Sequence, residues 1–445
     1  MKGLFLYIRF NKISNMNSLP IADLHALFLN SSGVSIDTRK IELDCIFFAL
    51  KGENFDANTF TKEALKKGAK YVIIDNKDYY IKDSTILVDN TLITLQELAK
   101  FHRNYLGLPI IALTGSNGKT TTKELIHAVL SKKYNTLATI GNLNNHIGVP
   151  LTLLRFTKET EIGIVEMGAN HQREIEFLCQ IAQPDFGYIT NFGKAHLEGF
   201  GGVDGVIKGK SELYNYLKTQ NKTVFVNLDD PIQQEKTYSI NKFTFGVTTD
   251  NCDVKITRVE ANPMVKITYK DVEINSHLIG IYNANNINAA ITIGNYFKVT
   301  DELIKEAIEN YIPENNRSQL IQKNSNEIIL DAYNANPSSM TAALTNFIQL
   351  EKDNKIAILG DMFELGSESL LEHNKIVEIL KSQKDIQTYF IGKDFYANEI
   401  KSNHLHFFEN FNTFAEFIKL EKPSNSLLLI KGSRGMALEK TLEIL

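Results

Sequence analysis

Ile110-Ile-Ala-Leu-Thr-Gly-Ser-Asn-Gly-Lys-Thr-Thr-Thr-Lys-Glu124 decides how this chain is read. The apolar run Ile110 to Leu113 has the character of a buried parallel strand. Gly115 and Gly118 permit a tight turn and close backbone approach to a ligand. A helix-forming segment, Lys119 to Lys132, follows at once. Strand, glycine loop and helix N-terminus make an anion site, because free backbone N–H groups and the helix dipole point the same way. Lys119 adds a positive charge and Thr120 a hydroxyl suited to Mg²⁺. Gly115, Ser116, Asn117, Gly118, Lys119, Thr120 and Thr121 therefore form a candidate nucleotide-triphosphate cradle. The loop is shorter than the common P-loop, whose first glycine position is Leu113 here.

Outward from this loop, 445 residues allow two to four domains. A hydrophobic content of 43% is ample for real cores, and a formal charge of -4 gives no reason to expect nucleic acid or an anionic membrane as partner. No apolar run approaches the roughly 18–20 residues of a membrane span. The segment from Gly3 to Phe10 is too short for a secretory core. Residues 1–16 are expected to be an extension, with Met16 an alternative start. Cys45, Cys179 and Cys252 are scattered without metal spacing, which suits reduced thiols and a cytoplasmic protein.

Three regions are expected: 1–90, 91–313 and 314–445. The first mixes short strands, Cys45–Leu50 and Tyr71–Asp75, with a helix at Thr61–Lys67. The second opens with a helix at Leu95–Tyr105. It then alternates helices with strands at Ile110–Leu113, Ile162–Glu166, Phe186–Thr190 and Thr223–Asn227, a doubly wound parallel sheet. Alternation in Asp253–His277 predicts antiparallel strands appended to that sheet, before a helix at Asn285–Phe297. The third region restarts the pattern with strands at Ile328–Leu330, Ile356–Leu359, Thr388–Ile391 and Leu427–Ile430. Helices at Ser339–Leu350, Leu370–Lys381 and Thr413–Leu420 separate them, as in a Rossmann-like unit.

In an open parallel sheet the ligand crevice lies at the carboxyl ends of the strands. Glu166 ends a strand and is placed to hold Mg²⁺ near the loop. His196, in the glycine-rich segment Asn191–Gly201, is a metal ligand, a phosphate contact or a structural histidine. Composition does not choose between Lys208 and Lys210 on the following helix. Asn283 and Asn286 offer one helix cap and one amide for a nucleobase edge. Arg317 either clamps a γ-phosphate or pairs with Asp331, and Asp331 can accept from ribose hydroxyls.

Together these residues resemble the Mur ligase family, the ATP-dependent amide ligases of peptidoglycan synthesis. Five ordered segments carry the likeness: Asp37-Thr-Arg39 with Phe47–Gly52, Gly141–Pro150, Asp331–Pro337, Leu359–Gly366 and Lys431–Arg434. The resemblance implies three α/β domains: a small N-terminal one for a uridine nucleotide, a central ATPase and a C-terminal Rossmann-like one. It implies ATP-driven joining of D-alanyl-D-alanine to UDP-N-acetylmuramoyl-tripeptide through an acyl phosphate, by a cytoplasmic monomer. It also implies two Mg²⁺ sites, held by Thr120 and Glu166 and by His196, with Lys210 as a carbamate formed from carbon dioxide. The family's lysine-x-x-apolar-aromatic pattern fits Lys210–Tyr214 and not Lys208. By the same likeness Asn283 and Asn286 face adenine, Arg317 and Asp331 meet γ-phosphate and ribose, and Asp37, Thr38 and Arg39 bind the uridine nucleotide. Asn142, Asn144 and Asn145 face the muramoyl-peptide. The family's usual histidine before the first adenine-side asparagine is Tyr282 here. A sister ligase adding the third amino acid, a folate-type ligase and a non-catalytic nucleotide switch are the competing readings.

Overall fold

The structure, a computed structural model, describes residues 19–314 and 316–445. The expected extension at 1–16 lies outside the described residues. The chain forms two compact units, one reaching Tyr105 and the other spanning Leu106–Leu445.

The first unit holds a parallel sheet ordered Val34–Ser35, Ile46–Phe48, Tyr71–Ile74, Thr85–Leu87. Its core gathers Phe47, Ala64, Val72 and Ile74, all buried. The helix expected at Leu95–Tyr105 starts earlier and runs Thr91–Leu106. Asn90 begins it by accepting the Ile93 N–H at 2.9 Å. All but the last residue of this helix falls within the first compact unit, whereas the sequence reading begins its second region at residue 91. Thr91 Oγ1 bonds the Ala49 carbonyl at 3.2 Å, and His102 bonds His25 of the helix Ile21–Phe28 at 3.0 Å.

The second unit carries two large sheets. The first is ordered Val272–Ile279, Met264–Tyr269, Val254–Ala261, Asn241–Gly246, Thr223–Asn227, Phe186–Ile189, Ile110–Thr114, Ile162–Glu166, Thr136–Ala138. Its first two pairings are antiparallel and the remainder parallel, as the alternation predicts. Ile110–Thr114 is buried throughout, as a strand covered on both faces must be. The chain runs from this strand to the far edge and returns, so Ile162–Glu166 and Phe186–Ile189 flank it on opposite sides. That reversal is the topological switch point, and it opens a crevice where Gly115–Lys119 begins.

The second sheet is ordered Gln319–Lys323, Asn326–Asp331, Leu427–Lys431, Lys355–Gly360, Ile386–Ile391, Leu405–Phe408. Only its first pairing is antiparallel. Helices Pro337–Gln349, Ser369–Lys381 and Phe411–Leu420 lie within about two residues of their expected bounds. The strands Asn241–Gly246, Gln319–Lys323 and Leu405–Phe408 were not expected. Each is partly exposed, so its apolar pattern is diluted.

Candidate active site

The phosphate loop is shaped by what lies against it. Gly115 sits at φ 142°, and a Cβ there would stand 2.0 Å from Thr190 Oγ1. Gly118 sits at φ 78°, and its Cβ would meet Asn286 Oδ1 at 2.5 Å. Only glycine satisfies both the backbone conformation and the contact. Between them, the Asn117 carbonyl accepts from Thr190 Oγ1 at 2.6 Å and from Asn191 Nδ2 at 3.0 Å. The Asn117 N–H donates to Asn191 Oδ1 at 3.1 Å, and Ser116 Oγ donates to the Gly193 carbonyl at 2.7 Å. The loop is thus laced to the segment after the neighbouring strand.

Lys119 opens the helix Lys119–Leu130. Its Nζ donates to the Gly115 and Ser116 carbonyls at 2.7 and 3.2 Å. Burial lowers its pKa, Glu166 opposes that and the charge of Arg317 adds to it. Arg317 is therefore within electrostatic reach of the loop. Thr120 and Thr121 follow, both buried in the first helical turn.

Glu166 is 1% exposed at the end of its strand, which is cross-strand to Leu113. Its Oε1 accepts from Asn144 Nδ2 at 2.9 Å and from Thr120 Oγ1 at 3.3 Å. Its Oε2 is buried and has no hydrogen bond. Lys123 Nζ, itself buried, stands 3.9 Å from that oxygen, close enough for charge but too far for a bond. A carboxylate oxygen buried without a bond is costly unless something else occupies its lone pairs. A divalent cation beside Thr120 fits that vacancy in hydrogen bonding. Lys123 was not selected from sequence, although it lies one turn beyond Lys119 and Thr120 on the same helix face.

Lys210 and Lys208 separate cleanly. Lys208 is exposed, whereas Lys210 is wholly buried. Lys210 Nζ donates to the Ala169 carbonyl at 3.0 Å and lies 4.9 Å from the centre of the Phe200 ring. Burial, then the charge of Lys119, push its pKa well down. Its amine is thus biased toward the neutral, nucleophilic form. Among the described residues no group of three or more His, Cys, Asp or Glu is gathered for a metal.

His196 adopts φ 54°, and its Nδ1 bonds Glu364 Oε2. Glu364 belongs to the Leu359–Gly366 motif, and sequence analysis gave it no role of its own. Nearby, Lys194 Nζ donates to the buried Glu372 carboxylate at 2.7 Å. Burial raises Glu372, but hydrogen bonds from Lys194 and Lys375 outweigh it and bring its pKa down. Asn117 Nδ2 donates to Ser338 Oγ at 2.8 Å, and Asn336 Nδ2 donates to Asn117 Oδ1 at 2.7 Å. The two sheets of this unit therefore meet at the phosphate loop.

Arg317 does not pair with Asp331. Its guanidinium lies 3.5 Å from the centre of the Tyr333 ring, a cation–π stack, and its Nε is buried without a hydrogen bond. Asp331 instead accepts from Lys431 Nζ at 2.6 Å and from the Ser318 N–H at 3.1 Å. Lys431 is the residue in register with it on the adjacent strand. Tyr282 OH bonds Ser318 Oγ at 2.9 Å, and burial raises its phenol.

The expected asparagine cap is corrected by the structure. Asn283 stands at the start of Ala284–Tyr296 but makes no side-chain cap bond. It ends a short 3₁₀ turn with helical backbone angles, so its side chain is turned away from the first helical N–H groups. Asn283 Nδ2 donates to the Ile279 carbonyl at 2.7 Å, Asn286 Nδ2 to Asn283 Oδ1 at 2.8 Å and Thr122 Oγ1 to Asn286 Oδ1 at 3.0 Å. This chain of bonds ties two helices beside Gly118.

Asn145 Oδ1 accepts from the Ile147 and Gly148 N–H groups at 3.1 and 2.9 Å, and Asn142 is exposed beside it. In the first unit, Asp37 caps the turn Thr38–Lys40 by accepting the Arg39 N–H at 2.9 Å. Hydrogen bonds from Arg39 hold the Asp37 carboxyl down at about 2.

Comparisons with known proteins place this fold in a family. The Mur ligase middle domain matches residues 113–294, and the Mur ligase, glutamate ligase domain matches residues 316–434. A UDP-N-acetylmuramoyl-tripeptide–D-alanyl-D-alanine ligase of Bacillus subtilis is 36% identical over 92% of both chains. Its counterpart in Escherichia coli is 32% identical over 97% of this chain and 98% of its own. A crystal structure of MurF from Acinetobacter baumannii covers 92% of both chains with a TM-score of 0.81 at 32% identity. A MurF ligase from Thermotoga maritima in complex with ADP has a TM-score of 0.81 at 26% identity, over 94% of this chain and 97% of its own. On these domain matches and likenesses the chain belongs to the Mur ligase family.

Proposed function

We propose that this chain joins D-alanyl-D-alanine to UDP-N-acetylmuramoyl-tripeptide, driven by ATP, in peptidoglycan precursor synthesis. The observation that carries this reading is the phosphate loop with Glu166 behind it. One buried carboxylate oxygen there has no hydrogen bond, next to a threonine hydroxyl and a lysine at a helix N-terminus. The names of the relatives supply the two substrates, and the ADP complex of one supports the nucleotide.

A carboxylate resists attack because its oxide leaves badly, so ATP first converts the tripeptide's terminal carboxylate to an acyl phosphate. The dipeptide amine then attacks the carbonyl carbon and phosphate departs. The chain's own part is charge placement and alignment. Lys119 releases its loop carbonyls and neutralises β- and γ-phosphate oxygens. The Ser116 and Asn117 N–H groups are held by Asn191, so the N–H groups at the start of the helix Lys119–Leu130 would donate to the remaining phosphate oxygens. Arg317, stacked on Tyr333 with a spare donor, approaches the γ-phosphate from the second sheet. Asp331 would accept the ribose hydroxyls, held in place by Lys431. Asn283 and Asn286 are proposed to line the adenine side, although most of their amide capacity serves each other and Thr122. Bound Mg²⁺ would offset the crowded negative charge of phosphates and carboxylate.

Thr120 and Glu166 would hold one ion, and His196 with Lys210 as a carbamate would hold another. The buried, neutral-leaning amine of Lys210 supports carbamylation: its lone pair adds to carbon dioxide, losing a proton and leaving an anionic carboxylate-like head. The uridine nucleotide is proposed to bind the first unit at Asp37, Thr38 and Arg39, and the muramoyl-peptide to meet Asn142, Asn144 and Asn145. A cytoplasmic site of action belongs to this reading; no helix among the described residues is long and apolar enough to cross a membrane. Phosphate release should require both substrates. Release measured with the lysine and the diaminopimelate forms of the UDP-tripeptide, with and without D-alanyl-D-alanine, tests the reading. Steady release with ATP alone would refute it.

A further inference from the structure

The motif Leu359–Gly366 is pinned in a way that presents one side chain. Met362 N–H donates to His373 Nε2 at 2.9 Å and Phe363 N–H to Ser433 Oγ at 2.8 Å. Asp361 accepts from the Asp394 and Phe395 N–H groups at 3.1 and 3.0 Å. Beyond these anchors Glu364 takes φ 63°, and its carbonyl accepts the Glu198 N–H at 3.3 Å. Its carboxylate reaches His196, which also has a left-handed backbone. Two non-glycine residues in that region, facing each other across two sheets' loops, are held there by their surroundings.

We propose that Glu364 is a positioning residue that fixes the His196 imidazole with its Nδ1–H toward the carboxylate and its Nε2 lone pair toward the reacting groups. The proposal rests on His196 being a cation ligand, as argued above. An ionised carboxylate can only accept, so the neutral ring must carry its proton on Nδ1. Nε2 is then an acceptor: it can ligate a cation but cannot donate to a phosphate. Among the described residues no partner is assigned to Nε2. A carboxylate behind a ligating histidine is a recurrent way of fixing ring orientation and basicity. Here the carboxylate comes from the second sheet, so the histidine is oriented only while the two halves of this unit are together.

The test uses the full chain labelled with [¹⁵N]histidine, metal-free at pH 8, saturated with a non-hydrolysable ATP analogue. Long-range ¹H–¹⁵N correlations report the tautomer of His196, assigned with His196→Ala among the ten histidines. Wild type should show Nδ1–H. Glu364→Ala should shift toward Nε2–H, while Glu364→Gln, whose amide oxygen still accepts, should keep Nδ1–H. In ligation, Glu364→Ala should lose about tenfold or more in kcat with little change in the KM for ATP, and Glu364→Gln should recover most of it. Glu372→Gln, which breaks the neighbouring Lys194 contact, should leave the tautomer unchanged. If His196→Ala is inactive yet Glu364→Ala keeps the wild-type tautomer and kcat, the proposal is wrong and the ligand reading survives. If His196→Ala ligates normally, the ligand reading falls and the proposal falls with it.

Discussion

Asn336 performs two tasks that substitution can separate. It is the N-cap of Pro337–Gln349, accepting the Ser339 N–H at 2.9 Å in a capping box. It also donates to Asn117 Oδ1 of the phosphate loop at 2.7 Å. Asn336→Ala removes both, a cap of about 1 kcal/mol and a neutral hydrogen bond of about 1 kcal/mol. Asn336→Asp keeps an acceptor for the cap, favoured further by the helix dipole. It has no donor, however, so an anionic oxygen would face Asn117 Oδ1. That contact should weaken by about 1–2 kcal/mol, which is roughly a 5–30-fold change in the ratio of joined to separated halves.

Dyes at Tyr238→Cys and Leu420→Cys, both very exposed sites on the two halves, would report that ratio by energy transfer. Cys252 would be changed to Ser, since Cys45 and Cys179 are buried. Hydrogen exchange at Ser339 would report the cap. We expect Asn336→Ala to lose Ser339 protection and the joined population together. Asn336→Asp should lose the joined population alone. Equal energy transfer in Asn336→Asp and wild type, with the ATP analogue bound, would refute the idea that this contact couples the loop to the second sheet.

Lys119→Ala should fold normally and retain less than about a tenth of ligation, because one lost phosphate clamp removes several kcal/mol of transition-state stabilisation; greater activity in a phosphate-release assay counts against its role. Lys210→Ala should be inactive and partly rescued by a short carboxylic acid, whereas Lys208→Ala should be nearly silent; carbon-dioxide-depleted buffer should depress wild type and bicarbonate restore it. The reverse pattern would move the site by one helical face. In the first unit, burial and the nearby His102 hold the His25 pKa at about 4. Its unfolded value is near 6.5, so the unfolded chain binds the extra proton between those limits. Stability from this group is complete above pH 6.5 and declines as pH falls toward 4. The protection of Ile21–Phe28 against hydrogen exchange, taken relative to the intrinsic rate at each pH, should fall over that window, and His25→Leu with His102→Leu should flatten the dependence; an unchanged slope would refute it.

The parallel strands were legible because burial on both faces leaves uninterrupted apolar runs, as in Ile110–Thr114, Ile162–Glu166 and Leu427–Lys431. Strands at the margins hid because half their residues face water; Gln319–Lys323 alternates half-buried and exposed positions and contains two glutamines and a lysine. Helix starts slipped where a polar side chain outside the apolar pattern begins the helix, as Asn90 does five residues ahead of Leu95, the expected start of what is Thr91–Leu106. The packing of that helix was not readable either, since its contacts are distant in sequence, such as the bond between His25 and His102, 77 residues apart.

The site shows the same division for a deeper reason. Residues whose chemistry is local announced themselves: a glycine loop before a helix, a carboxylate at a strand end. Residues that complete another residue's valence did not: Lys123 and Glu364 were given no role, and Asn144 was named only for the muramoyl-peptide and not for its bond to Glu166. Lys123, Asn144 and Glu364 are a lysine, an amide and a glutamate of ordinary type in polar surroundings. Their importance lies in which atom they meet: Lys123 and Asn144 flank the two oxygens of Glu166, and Glu364 meets His196 Nδ1. The choice between Lys208 and Lys210 shows the limit most plainly. Both sit on one helix two residues apart, both near the glycine-rich segment, and composition weighs them equally. A helix turns about 100° per residue, so two residues differ by about 200°, and one side chain enters the core as the other leaves it. Apart from the family pattern, which fits Lys210, only the direction of the core separates the two, and Ala169 and Phe200, brought together by the folded sheet, mark that direction. Burial then does chemically what identity cannot: it strips water from one of two identical amines and biases that one toward the neutral form that can react.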